Sequence, residues 1–150
     1  MKSIFILLLI EIIYSYDTEK AINYAKKYCK DYNPDYNTYD EDSANFVSQC
    51  LIAGGEGITD CKLSDDKNAF QSVANLKSCL YQLGWKVQSG VPRQFKAGYP
   101  FFNNENTHVM IATEVNGKTI TYCGHTKDSC DEVLENPNKY HYYYKTIIED

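Results

Sequence analysis

The sequence predicts an α+β domain, with helices first and an antiparallel sheet second. Three observations carry this. Apolar residues recur at three- and four-residue spacing as far as Leu83. After Trp85 the period drops to two. Asn116-Gly117 then separates two alternating runs, a strong local sign of a hairpin.

Each element has its own justification. Thr18 can cap a first helix running to about Tyr32, with Ala21, Ala25, Tyr28 and Tyr32 on one face, and Asn33-Pro34 ends it. An acidic, tyrosine-rich loop follows through Asp35, Asp40, Glu41 and Asp42. A second helix starts at Asp42 or Ser43; Ala44, Phe46, Val47, Cys50 and Leu51 are its apolar face and Gly54-Gly55 its stop. Asp65 or Asp66 opens a third, whose stripe is Ala69, Phe70, Val73, Leu76, Leu80 and Leu83, closed by Gly84. In the strand region Val109, Ile111, Thr113 and Val115 alternate with His108, Met110 and Ala112. Thr119, Thr121 and Cys123 alternate with Ile120 and Tyr122, and Tyr140 to Ile148 reads as a last strand. The 14 tyrosines suit aromatic strand or groove surfaces.

At 150 residues one domain is expected, and 43% hydrophobic with 23% charged residues is ordinary globular usage. A net charge of −5 excludes the basic face of a nucleic-acid binder or of a protein held on anionic lipid. Met1-Lys2-Ser3 followed by the apolar run Ile4 to Ile10 matches a signal peptide covering 1–15, with the domain at 16–150. That run falls short of the about 20 residues that span a bilayer, so no membrane anchor is expected and the mature chain is read as secreted, and as a monomer.

Secretion makes disulfides of the six cysteines, Cys29, Cys50, Cys61, Cys79, Cys123 and Cys130. Cys123 and Cys130 bracket a short loop and are the expected local bridge; all six are read as free to pair. No Cys-x-x-Cys pattern supports zinc instead.

A two-residue turn at Asn116 and Gly117 would pair Thr113 with Ile120 and Ile111 with Tyr122, and would set His108 opposite His125 at the far end of the hairpin. Gly124 is a place for a bulge. Such a histidine pair fits an acid/base and its orienting partner; a metal site is the weaker reading, because no third ligand is placed. A nucleophile belongs at a helix N-terminus, where the dipole and free N–H groups hold an oxyanion. The second helix offers Ser43 there, with Asp42 before it as cap, although Ser is favoured at helix starts in any case. His141 is expected to be an exposed strand residue.

The run from Asp42 to Leu51 with Ala53-Gly54-Gly55 resembles the signature of the putative amidase domain family, which is similar to papain-like NlpC-type peptidoglycan peptidases. Ala21-Ile22-Asn23-Tyr24-Ala25, Tyr32-Asn33-Pro34, Leu83-Gly84-Trp85, His108 to Ala112 and Gly124 to Asp128 resemble it as well. The resemblance implies a papain-like fold and a secreted hydrolase of amide or peptide bonds, with cell-wall peptides as substrate class and no cofactor. By position, Ser43 stands where the family has its nucleophilic Cys, His108 at the general base, and His125 at the polar residue that orients the base. Gly98 to Phe102 replaces the family's Gly-Asp strand. A Ser nucleophile needs a base to take its proton during attack, whereas a Cys can be held as thiolate. The alternatives are a non-catalytic module that binds a peptide or glycopeptide, a Ser-dependent hydrolase, and a zinc-dependent site.

Overall fold

The computed structural model describes residues 15–63 and 68–146. All of the expected signal segment except Ser15 lies outside them, as do Asp65, Asp66 and Ile148. Among the described residues three α-helices precede six strands: α1 (Thr18–Tyr28), α2 (Ser43–Ala53), α3 (Val73–Gln82), β1 (Lys86–Ser89), β2 (Pro100–Asn103), β3 (Val109–Asn116), β4 (Thr119–Gly124), β5 (Ser129–Val133) and β6 (Tyr140–Tyr144). The strands form one antiparallel sheet in the order β1-β6-β2-β3-β4-β5. This is the expected α+β arrangement. No helix among the described residues is long and apolar enough to cross a membrane.

Helix α1 is capped one residue earlier than expected. The Asp17 carboxylate, not Thr18, accepts the Lys20 N–H at 3.1 Å. Ala21 and Ala25, one turn apart, are fully buried and let α2 approach closely. The helix stops at Tyr28, short of Tyr32, where the Tyr28 carbonyl faces the His125 ring at 2.8 Å.

Helix α2 is buried from Ser43 to Leu51 and packs against α1 and β3. Ser43, Asn45, Ser48 and Gln49 are buried along with its apolar residues, so the helix is covered on nearly all sides. Its end is fixed twice. Gly55 takes φ 97°, and the N–H groups of Gly55 and Glu56 return to the carbonyls of Ile52 and Leu51. Gly54 leaves room for Tyr16, into whose ring a Cβ would run.

Helix α3 starts at Val73, well after Asp65 and Asp66. Ser72 caps it, accepting the Asn75 N–H at 3.3 Å. Ala69 and Phe70 lie in a turn instead, because the Asn68 side chain takes the Phe70 N–H at 3.0 Å and competes with helical pairing. The Gly84 stop is as expected, with φ 84°.

In the sheet, Val109 to Thr113 are all buried, so both faces of β3 are covered along that stretch; alternation toward solvent begins only at Glu114. The last strand ends at Tyr144. Within it His141 is half-buried, not exposed, and its Nδ1 has no hydrogen-bond partner among the described residues. The tyrosines serve both expected uses: Tyr142 is buried in the sheet core, while Tyr122 and Tyr140 line a surface cleft.

The hairpin register differs from the expected one. Asn116 stays in the strand and pairs with Thr119, so the turn residues are Gly117 and Lys118. Gly117, at φ 61°, takes the first central position, which is the Gly-first preference of type II′ turns. A bulge between Ala112 and Glu114 then shifts the ladder once more, leaving Ile111 opposite Cys123. A second irregularity lies between Tyr122 and Gly124 on the β5 side.

The cysteine pairing differs too. Cys29 bonds Cys130 and Cys61 bonds Cys79, while Cys50 and Cys123 are buried free thiols. Cys123 does not reach Cys130, because the ladder sets it at Asp131, whose N–H donates to its sulfur at 3.4 Å. Successive residues of a strand face opposite sides, so Cys130 turns away from Cys123, and its partner is Cys29 at the end of α1. Burial pushes the pKa of both free thiols up, most for Cys50, and keeps them neutral.

Candidate functional site

The head of α2 meets the end of β3 and the β4–β5 loop in one place. Ser43 is the first residue of α2 and is buried. The first helical hydrogen bond runs from the Phe46 N–H to the Asp42 carbonyl at 3.0 Å, so the N–H groups of Ser43, Ala44 and Asn45 precede it. Asp42 occupies the N-cap position, but its side chain does not cap those groups as expected.

Its carboxylate is fully engaged elsewhere. One oxygen accepts from the Tyr39 N–H at 2.9 Å and from Asn45 Nδ2 at 2.8 Å. The other lies 2.6 Å from His125 Nδ1, in a pair whose side chains are 4% and 2% exposed. Burial pushes the Asp42 pKa up, but hydrogen bonds from His125, Asn45 and Tyr39 and the charge of His125 outweigh it. The net result lies below the usual carboxylate range. Asp42 is therefore a carboxylate that ties three segments together. The helix head it would ordinarily cap has no side-chain cap.

His125 is enclosed on every side. Its Nε2 faces the Tyr28 carbonyl at 2.8 Å, so both ring nitrogens face acceptors. The ring form with a proton on each nitrogen satisfies both at once. Phe46 stacks on one face with centroids 3.9 Å apart, and Tyr32 stacks on the other at 4.0 Å. The Tyr32 hydroxyl donates to Asp128, and burial pushes that phenol well above its ordinary value.

His108 lies on the other side of the ladder. With Ile111 opposite Cys123, the strand brings His108 beside Thr126, not His125. Its Nδ1 shares a hydrogen bond of 3.3 Å with Thr126 Oγ1. His108 is half-buried and Thr126 exposed. Ser43, His108, His125 and Thr126, with Asp40, Glu41 and Asp42, line a pocket of about 70 Å³. His108 and Thr126 also line a cleft of about 430 Å³ that continues over Met110, Tyr122, Glu132 and Tyr140. The sequence-predicted residues thus share one pocket, but both nitrogens of His125 are used by Asp42 and Tyr28. Among the described residues no group of three or more His, Cys, Asp or Glu could hold a metal ion.

Sequence reasoning missed Thr126 and the grip of Asp42 on His125. Gly117 as first turn residue, instead of second, was the signal that would have moved the register toward Thr126. Asn45, three residues after Asp42, was the signal that the Asp side chain had a use other than capping.

The family model of the putative amidase domain matches residues 15–94, a stretch that holds α1, α2 and α3 and stops before β2. The uncharacterized protein YhbB of Bacillus subtilis (strain 168) is 43% identical over 42 residues, 28% of this chain and 14% of that protein. The match therefore spans about a seventh of that relative's length. No solved structure matches the chain.

Proposed function

Because the chain belongs to the putative amidase domain family, we propose that it is a secreted, monomeric hydrolase of amide or peptide bonds, with cell-wall peptides as its substrate class. The observation that carries this is the uncapped head of α2. The Asp42 carboxylate is diverted to His125 and makes no cap hydrogen bond at the helix head, where Ser43 lines the pocket together with His108. An oxyanion forming beside Ser43 would find the N–H of Ser43 and the positive end of the helix dipole there.

In this reading Ser43 Oγ attacks the carbonyl carbon, and His108 takes the hydroxyl proton and returns it to the departing amine. Water then hydrolyses the acyl–serine ester, again with His108 as base. His125 takes part by fixing Asp42, and with it the residue on which Ser43 sits. The larger cleft holds the rest of the peptide. Two disulfides fit an oxidising compartment, which supports the secreted reading.

A second reading is favoured by Ser43 itself. The resemblance puts a Cys at this position, and an oxyanion hole shaped around sulfur suits the shorter C–O bond poorly. The domain would then bind a peptide or glycopeptide without cleaving it. One assay separates the two: peptidoglycan fragments and a peptidyl amide panel, with the natural chain, Ser43→Ala and Ser43→Cys. Turnover lost in Ser43→Ala supports the Ser hydrolase. Turnover only in Ser43→Cys assigns the natural chain to the binding reading. Neither binding nor turnover in any variant would sink both.

A further inference from the structure

We propose that Thr126 is the positioning residue of the site: its hydroxyl accepts the His108 Nδ1–H and so leaves Nε2 as the basic nitrogen. This rests on the reading of His108 as the proton shuttle. The resemblance gives that orienting task to the neighbouring His125, but both His125 nitrogens are spent on Asp42 and Tyr28. Thr126 Oγ1 lies at hydrogen-bond distance from His108 Nδ1, at 3.3 Å.

A side chain can hold a base only if its own backbone is held. Thr126 is exposed, yet it sits between two anchors. His125 before it is locked into the core, and Asp128 after it accepts the Tyr32 hydroxyl. Cys130, four residues on, is bonded to Cys29. On the other side, Gly124 lets β3 and β4 close up, since a Cβ there would meet Met110 Cγ at 3.1 Å. That contact lies two residues along each strand from the His108–Thr126 pair.

Neutral imidazole carries one proton on either nitrogen, and the acceptor beside one nitrogen selects the form. A hydroxyl can donate or accept; it accepts here because a base working through Nε2 carries its proton on Nδ1. A valine cannot supply a hydroxyl; a serine can. Thr126 therefore acts through His108 and is not itself a catalytic residue.

The test is the imidazole ¹H–¹⁵N spectrum of the full chain, recorded where His108 is neutral, for the natural protein, Thr126→Val and Thr126→Ser. The expected result is the Nδ1–H pattern for His108 in the natural chain and in Thr126→Ser. Thr126→Val should move toward the Nε2–H pattern, with the His125 signals unmoved. An Nε2–H pattern in the natural chain overturns the proposal, and so does a His108 signal indifferent to Thr126→Val or not restored by Ser. Where the natural chain or Ser43→Cys turns over an amide, Thr126→Val should lower kcat about tenfold at unchanged KM, with recovery in Thr126→Ser. Absence of turnover in every variant would refute the hydrolase reading, while the spectrum still decides whether Thr126 positions His108.

Discussion

The two histidines of the pocket stand 17 residues apart in sequence and in opposite physical situations. His125 is enclosed: carboxylate, carbonyl and two aromatic rings occupy all of its surfaces. His108 is half-buried, has one hydroxyl beside it and opens onto two cavities. A group whose partners are all supplied by the protein is architecture, because any change of state breaks something. A group with one partner and open space has capacity left for a ligand. The residue types are the same, and only the register of one hairpin decides which is which.

That contrast is exposed first by truncation. His125→Ala leaves the Asp42 carboxylate buried without its main partner and should cost about 4 kcal/mol, read as a lower denaturant midpoint. His108→Ala should cost less than about 0.5 kcal/mol in the same assay. Equal losses at the two positions would end the distinction.

The disulfide that supports the enclosed side comes next. Replacing Cys29 and Cys130 together by Ser opens a link between residues 101 apart and should cost about 3 kcal/mol. Replacing Cys61 and Cys79, 18 apart, should cost about 2 kcal/mol and leave the His125 ring signals in place. Thermal unfolding of the two double variants measures the order, and a larger loss from Cys61 and Cys79 would contradict it.

Acid should act on the enclosed side as well. Asp42 binds its proton less readily folded than unfolded, so it adds stability above the unfolded carboxylate range. That contribution shrinks as pH falls below about 4 and is lost once the pH has passed through the lowered folded value. Asp42→Asn should be less stable near neutrality by about 2 kcal/mol and should show a flatter stability curve in that acid window. A variant as steep as the natural chain would show that another carboxylate governs the acid limb.

The smallest stability effect belongs to the open side. Thr126→Val should change the unfolding free energy by less than about 0.5 kcal/mol, since the side chain is exposed. A larger loss would make Thr126 part of the architecture.

Much of this arrangement was legible in the chain itself. The helical spacing up to Leu83, the Gly54-Gly55 and Gly84 stops, the start of α2 at Ser43 and the strand character after Trp85 are local properties, and local chemistry decides them. The misses are where tertiary partners overrule local preference. Asp42 is a good cap by type, but His125 and Asn45 compete for its oxygens. Tyr28 ends α1 where its carbonyl meets a ring from the β4–β5 loop. Cys123 and Cys130 are near in sequence but diverge across the pleat. Asn116-Gly117 names a turn without saying which two residues are its centre, and a slip of one residue, followed by a bulge, moved His108 from His125 to Thr126.

The decisive measurement is amine release from the peptidyl amide panel by the natural chain and His108→Ala, each shown to be folded by its denaturant midpoint. The expected result is release by the natural chain, abolished in an equally stable His108→Ala. Undiminished release by His108→Ala, or no release by the natural chain, would contradict the assignment of the chemistry to the open histidine.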